Sequence, residues 1–280
     1  MNVNTLNSNN NIYDSVVTPP RMNDLAFWYT QDHAAADASN NLTNVYDRSG
    51  SGNHLSQATA NKRPELAVVA TKLAGKRVFG FDQDGDGTGV TTYIQDAAAD
   101  VDKVFGTSLA PTVDPEFTCA MVVNERSGNS GSKNFFSVQE NTGSNPNKYY
   151  VYKAGGGAGF RVNGDDATTD TSDKVFVVGT PKTVIGTLVD KGSSMEYRQW
   201  VGGDACDWDD EGVGEPYPCD PNTMFSGSGT NATFVTLGGT LSGATGAKCD
   251  IAEVLFWKGV HTVAERTETL NYLRDRWDCS

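Results

Sequence analysis

Two clusters of acidic residues are the clearest candidates for functional sites in the sequence. In the first, Asp82, Asp84 and Asp86 alternate along one segment and are followed by a glycine. Alternate carboxylates can converge on a hard cation, so the spacing predicts a calcium site at these three residues. Tyr93 stands where an EF-hand has its bidentate Glu, so further ligands must come from elsewhere, with Asp96 as a candidate donor. The alternative is a solvated β-turn, because Asp and Gly favour turns without any metal.

The second cluster is the segment 204–220, which holds seven acidic residues and no basic one. Trp208 and Tyr217 lie within it, and Asp207 and Asp209 flank the tryptophan. Aromatic rings stack on the apolar faces of sugars, and carboxylates accept hydrogen bonds from sugar hydroxyls, so these four residues form the predicted carbohydrate site. Two alternatives stay open: a contact loop between subunits, since Trp and Tyr are common interface anchors, and a solvated insertion.

Overall charge restricts the partners of the chain. Its 280 residues include 22 basic and 35 acidic ones, which gives a formal net charge of −13. Nucleic acid and anionic membranes both need clustered Lys and Arg, so we expect neither as a partner. No run approaches the roughly 18 apolar residues of a membrane span. The N-terminal residues lack the basic and apolar regions of a secretory signal, so we expect synthesis in a cytoplasm without export.

The elements that must position these residues are short strands. Glycine-rich turns separate apolar runs, which predicts an all-β, two-sheet antiparallel sandwich with a single C-terminal helix at about 262–277. Tyr149 and Tyr150 are expected on opposite faces of one strand. An Asn-rich N-terminal arm is predicted at 1–23, ahead of one domain at 24–280. The predicted strands are 25–29, 77–81, 117–124, 134–138, 149–153, 159–162, 175–178, 183–189, 195–200, 234–237 and 249–257.

The five cysteines form no C-x-x-C pair, which argues against a zinc or thioredoxin-type site. Two disulfides stay open, Cys206–Cys219 and Cys119–Cys249. Free buried thiols are the plainer interpretation.

Several segments together resemble a known family. They are the D-x-S-G-x-G-N-H segment at 47–54, R-P-x-L at 63–66, the F-D pair at 81–82, F-T-x-x-x-V-V at 117–123, and I-A-E-V at 251–254 with the helix that follows. In this order they are similar to concanavalin A-like, laminin-G-like jelly-roll domains, including those of bacteriophage virion accessory proteins. The resemblance implies two curved antiparallel sheets. It leaves function open, because this fold hosts lectins, glycosidases, lyases and adhesion modules.

Catalytic patterns of the related enzymes are incomplete in this chain. Jelly-roll glucanases carry E-x-D-x-x-E on one strand, whereas 250–253 supplies only Asp250 and Glu253. Glu253 belongs to the I-A-E-V segment, where we expect a scaffold hydrogen bond. The three histidines are scattered, and no G-x-S-x-G elbow is present.

These observations lead to the expectation of a non-enzymatic virion accessory protein on the virion exterior, present in many copies or as a homo-oligomer. The arm would dock it on capsid or tail proteins, and the sandwich would display a glycan site, with calcium as a possible cofactor. One alternative is a free calcium-dependent lectin, and another is a polysaccharide-degrading glycosidase or lyase. The docking contacts are predicted to be Ile12, Tyr13, Val16 and Val17.

Overall fold

Two antiparallel β-sheets form most of the structure. The computed structural model describes residues 18–68, 73–82, 91–96, 116–128, 133–140, 148–154, 157–162, 165–168, 176–192, 195–208, 212–213, 217–219, 233–239 and 246–279. Within these ranges the chain forms twenty strands and one α-helix. The predicted all-β sandwich with a C-terminal helix is therefore confirmed.

Sheet A has the order β15-β14-β13-β8-β20-β6-β5, with β1 beside β20 and β18 beside β14. Its long central strands are apolar on both faces, because the core covers one face and α1 packs on the other. The strands are β1 Leu25–Thr30, β5 Glu65–Val68, β6 Arg77–Phe81, β8 Phe117–Glu125, β13 Lys182–Asp190, β14 Met195–Val201, β15 Asp204–Ala205, β18 Tyr217–Cys219 and β20 Cys249–Lys258.

Sheet B has the order β12-β11-β10-β9-β19-β7-β4-β3-β2. Several of its strands have two to four residues, too few for an apolar alternation to stand out in the sequence. The strands are β2 Ala34–Ala36, β3 Leu42–Val45, β4 Leu55–Ser56, β7 Ile94–Asp96, β9 Lys133–Glu140, β10 Lys148–Ala154, β11 Gly157–Val162, β12 Asp165–Thr168 and β19 Thr233–Leu237. A separate two-stranded ladder joins β16 Asp207–Trp208 to β17 Gly212–Val213.

The main core lies between the facing sides of the two sheets and is rich in aromatic rings. Phe256 of β20 stacks on Phe27 of β1 at 5.0 Å and on Phe117 of β8 at 4.8 Å between ring centroids. Phe117 meets the ring of Tyr149 from sheet B edge-on at 4.7 Å. Such offset and edge-on pairs add to the area that they bury, so they fix the two sheets face to face.

Helix α1, Val263–Trp277, begins where the sequence predicts. The Thr262 side chain accepts a hydrogen bond from the Glu265 backbone N–H, and the Glu265 side chain accepts one from the Thr262 N–H. This capping box satisfies two amides of the first turn. Within the described ranges, the structure has no helix long and apolar enough to span a membrane.

The apolar stripe of α1 differs from the prediction at one end. Leu273 and Trp277 are fully buried against the outer face of sheet A, and Leu270 packs beside them. Helical spacing in the sequence predicts one apolar stripe of Val263, Leu270, Leu273 and Trp277, but Val263 is 70% exposed, so its place on that stripe is wrong. It is the first residue of the helix and lies before the helix reaches the sheet.

The last residues of the predicted arm contact the sandwich. Trp257 Nε1 donates to the Pro20 carbonyl at 3.0 Å, and Arg21 donates to the Val260 carbonyl at 3.0 Å. Met22 packs against the cluster beneath α1. The predicted docking residues Ile12, Tyr13, Val16 and Val17 lie outside the described residues, so docking through them stays a prediction.

Candidate functional site

The predicted calcium site is described only in part. Asp82 follows β6, its side chain is 58% exposed, and its Oδ2 lies 3.9 Å from the Arg126 guanidinium. Asp84 and Asp86 lie outside the described residues. Elsewhere in the described chain, no group of three His, Cys, Asp or Glu side chains is placed to hold a metal ion. Calcium binding stays a prediction.

The predicted carbohydrate residues are placed by their backbone. Asp207 and Trp208 form β16, which pairs with β17 in a separate two-stranded ladder, while Tyr217 of β18 pairs with Tyr197 of β14 at the edge of sheet A. Asp209 lies outside the described residues. The structure therefore separates Tyr217 from the Asp207–Trp208 ladder by sheet membership, and a sugar site there stays a prediction.

The cysteine side chains that the structure describes form no disulfide. Cys119, Cys206 and Cys249 are all buried and none is joined to another cysteine, so neither disulfide left open by the sequence is formed. Burial raises the pKa of the Cys249 thiol well above its ordinary value, which keeps the group neutral and unreactive.

Glu253 accepts hydrogen bonds from three buried side chains. Its Oε1 accepts from Trp28 Nε1 at 2.5 Å and from the Tyr272 hydroxyl at 2.7 Å, and its Oε2 accepts from Trp277 Nε1 at 2.6 Å. Arg276 Nε lies 3.2 Å from Oε2, as an ion pair without hydrogen-bond alignment. The carboxylate therefore joins β1, β20 and α1. The expected scaffold role is confirmed, and the group is not available to a substrate.

Burial raises the pKa of Glu253, because a charged carboxylate loses its hydration inside the protein. The Arg276 guanidinium and the three donors oppose this effect. Asp250, the other acid of this strand, is also engaged: it accepts from Asn124 Nδ2 at 2.9 Å and from Arg126 Nε at 2.8 Å. Both acids of the 250–253 segment thus serve the fold.

Asp47, the first residue of the D-x-S-G-x-G-N-H segment, has a similar scaffold role. Its carboxylate accepts from the backbone N–H groups of Trp28, Ser49 and Asn53. The Asp47 N–H in turn donates to Nδ1 of His54 at 3.0 Å. These bonds fold the glycine turn against β1, so the residues that carry the family resemblance are those that the sandwich itself requires.

A continuous row of polar residues crosses sheet B. We call it the polar row, and strand register places one member directly opposite the next from β3 to β12. The core residues beside Asn44, Ser56, Gln95, Thr236 and Ser137 point to the other face, so these five lie on the outer face, because side chains alternate along a strand. The polar row consists of Asn44, Ser56, Gln95, Thr236, Ser137, Tyr150, Arg161 and Asp166.

Burial divides the polar row into two described parts. Asn44, Ser56 and Gln95 are half-buried and reach solvent, whereas Thr236 and Ser137 are fully buried. Ser137 donates to the Gly239 carbonyl at 3.1 Å. The buried Thr236 hydroxyl has no hydrogen-bond partner in the structure as described. Full burial closes Thr236 and Ser137 to a ligand, so only the half-buried members Asn44, Ser56 and Gln95 can meet one.

The chemistry of the polar row suits a chain of hydroxyl groups. Hydroxyl and amide side chains both donate and accept hydrogen bonds, as sugar hydroxyls do. The strands that carry Asn44, Ser56 and Gln95 lie about 4.8 Å apart, so the half-buried part of the row spans about 10 Å. The sequence predicts Tyr149 and Tyr150 on opposite faces of one strand and singles out no member of the polar row as a sugar contact. The members are single polar residues within apolar strands, and only the pairing of strands shows that they are aligned.

Comparison with known proteins finds similarity at the level of fold. No family model matches the chain, and no curated protein matches it. A solved arabinofuranosidase complexed with arabinofuranosyl-alpha-1,2-xylobiose is 16% identical, with a TM-score of 0.50, over 83% of this chain and 50% of that one. A Trypanosoma rangeli sialidase is 12% identical, with a TM-score of 0.48, over 90% of this chain and 33% of that one. The chain thus spans half or less of these proteins.

Two predictions are corrected by these comparisons. The similar solved structures are named as glycosidases, and none of those cited names a phage or virion protein. The expectations of a non-enzymatic protein and of a virion accessory role are wrong. The physical reason is that the motifs behind the virion expectation, around Asp47 and Glu253, maintain the fold whatever its function. The chain is a jelly-roll-like β-sandwich of two antiparallel sheets.

Proposed function

We propose that the chain acts on carbohydrates as a glycosidase, and that the polar row is the surface that contacts the sugar. The observation that carries this proposal is the strand register, which places one polar residue opposite the next across eight strands. The fold shared with an arabinofuranosidase, which was solved with an arabinose-substituted xylobiose, supports the choice of ligand class.

Half-buried residues at the β3–β4–β7 end of the row make the first contacts in this proposal. Asn44 and Ser56 lie opposite each other, and Gln95 lies opposite both Ser56 and Thr236. These side chains are partly desolvated and held on strands, so a bound sugar needs little reorganisation of the protein.

Asp166 is the proposed catalytic carboxyl group within the row. Glycosidases generally use two carboxyl groups, one as acid or base and one as base or nucleophile. Asp166 is the only carboxylic acid among the eight members of the polar row, so the second group must come from outside the row. Asp165 occupies the alternate register position on the same strand, which makes it the matched control.

The test uses the full chain with arabinoxylan and a panel of other polysaccharides. We expect binding, release of reducing ends, and loss of that release in Asp166→Asn while binding persists. Gln95→Ala should weaken binding about threefold to tenfold, the effect of one neutral hydrogen bond. Asp165→Asn and Gln31→Ala, which removes an amide outside the row, should behave as the wild type.

Two outcomes would count against the proposal in different ways. Binding that weakens in Gln95→Ala without any hydrolysis would retain the polar row as a sugar surface and reject the glycosidase assignment. Binding that is unchanged in Gln95→Ala, or absent with every polysaccharide, would reject the polar row itself.

A further inference from the structure

Two arginines, one from a strand and one from helix α1, lie on the outer face of sheet A. The polar row belongs to the other sheet. Along β14, Met195, Tyr197 and Val201 point into the core, so Arg198 and Trp200 share the outer face. Both are half-buried. Arg266, from the second turn of α1, places its guanidinium 4.1 Å from the centre of the Trp200 ring. The strand β14 and the helix α1 therefore bring two guanidinium groups to one partly exposed region of the surface.

Neither guanidinium has a carboxylate partner in the part of the chain that the structure describes. Glu196, two residues from Arg198 on the same face, lies 3.5 Å from Lys191 instead. The absence is notable in a protein of net charge −13, in which four other arginines each lie within 4 Å of an acid. Those four are Arg21, Arg63, Arg126 and Arg276.

The two charges affect each other. The pKa of Arg266 is lowered, first by burial and then by the positive charge of Arg198. Both effects mean that the cation is held where it is not well stabilised by its surroundings. An anion bound between the two side chains would reduce the repulsion between their positive charges. It would also take the place of the water that burial removes from Arg266.

We propose that Arg198 and Arg266 form a binding site for the carboxylate of an acidic sugar, such as a uronic-acid residue in a polysaccharide. Guanidinium groups bind carboxylates through paired N–H donors, which gives both strength and orientation. Trp200 supports Arg266 from below and limits its rotamers, so little conformational entropy is lost on binding. The anion site stands on its own geometry, while the choice of a sugar as its carrier rests on the proposed function.

The net negative charge of the whole molecule favours anions that bind through a few local contacts. A chain of net charge −13 repels polyanions in general, so long-range attraction cannot produce binding by itself. Nucleic acid binding needs many phosphate contacts, and two arginines supply too few. A sugar chain with spaced carboxylates needs only a local pair of cations.

The experiment measures binding of polygalacturonate to the full chain by calorimetry at low salt, with neutral arabinoxylan and polyglutamate as comparison ligands. We expect polygalacturonate to bind, and Arg198→Gln and Arg266→Gln each to weaken it tenfold or more, because each loses a charge-assisted pair of hydrogen bonds. Arg266→Lys keeps the positive charge but loses the paired N–H donors of the guanidinium group, so it should weaken binding by a smaller factor. Arg77→Gln removes the same charge from an exposed arginine on β6 and should have no effect.

Each other result has a definite meaning. Polygalacturonate binding that both Arg→Gln variants retain, in protein with a wild-type circular dichroism spectrum, overturns the site. Equal binding of polyglutamate overturns the sugar assignment. Binding of arabinoxylan without polygalacturonate overturns this inference and leaves the proposed function in place, whereas binding of neither ligand counts against both.

Discussion

At the scale of single residues, two acidic residues that match part of a catalytic pattern in the sequence stabilise the fold instead. Glu253 bonds to three aromatic side chains, and Asp250 is held by Asn124 and Arg126. The scaffold role of Glu253 could be expected because its I-A-E-V segment resembles the closing strand of the jelly-roll family. The sequence could not identify the donors, which come from β1 and from α1.

Replacing Glu253 should be strongly destabilising. In Glu253→Ala, the Arg276 ion pair and three buried donors lose their acceptor, so the free energy of unfolding should fall by about 3–5 kcal/mol. Urea unfolding checks this, with Glu268→Ala, an exposed residue of the same helix, as the control. A loss below about 1 kcal/mol, typical of exposed ion pairs, would contradict the scaffold role.

His261 should give the stability a pH dependence. It is buried, stacks 4.4 Å from Trp257, and has its pKa lowered to about 4 by burial and by Arg21. Because the unfolded chain binds this proton from about pH 6.5 downward, the contribution of His261 is present above that pH and lost as pH falls toward 4.

The measurement is the free energy of unfolding from pH 7 to pH 4, compared between the wild type and His261→Gln. We expect the wild type to lose about 3 kcal/mol more than the variant over this range. Equal pH slopes in the two proteins would show that folding does not lower the pKa of His261, and would contradict this prediction.

At the scale of elements, long strands were predictable and short ones were not. The run from Phe117 onward alternates over many residues and forms β8, whereas β3 and β4 have four and two residues. The predicted strand at 175–178 is wrong over its described part. Phe176 is buried, but Val177 and Val178 are 49% and 51% exposed and belong to a turn. Apolar composition alone cannot distinguish a strand from a turn with one anchored residue.

Gly186 of β13 shows how one position controls the fit of the two sheets. The hydroxyls of Tyr197 from sheet A and Tyr149 from sheet B meet at 2.8 Å. A Cβ at position 186 would lie in severe overlap with the Tyr197 hydroxyl and 2.8 Å from that of Tyr149. Glycine therefore leaves the room that this buried pair needs.

Gly186→Ala should lower the free energy of unfolding by about 1–3 kcal/mol through overpacking. The double variant Gly186→Ala with Tyr197→Phe removes the overlapping hydroxyl, so it should lose less than the sum of the two single changes. Thermal or urea unfolding of the four proteins measures the coupling. Strictly additive losses would show that the alanine is accommodated elsewhere.

At the scale of the whole molecule, the sandwich could be predicted and its candidate surface could not. Turn-separated apolar runs and the capped helix are local patterns, and both are present in the sequence. The polar row depends on the register between strands far apart in the chain, and a slip of one residue would move every side chain to the other face. Thr236 and Ser137, nearly a hundred residues apart, become neighbours only through β19 and β9.

Charge is distributed unevenly over the molecule. The uncharged members Asn44, Ser56 and Gln95 of the polar row lie on the outer face of sheet B, and the two arginines that have no acid partner among the described residues lie on the outer face of sheet A. A neutral sugar chain and an acidic one would therefore meet opposite sides of the sandwich, and variants on one face should leave binding at the other unchanged.

Locating a bound oligosaccharide tests the central claim most directly. A crystal structure of the full chain with an arabinose-substituted xylo-oligosaccharide should show the sugar on the outer face of sheet B. We expect it to contact Asn44, Ser56 and Gln95 and to lie across the strands rather than along one of them. A sugar bound at Trp208 and Tyr217 instead, with the polar row in contact with solvent alone, would contradict the account.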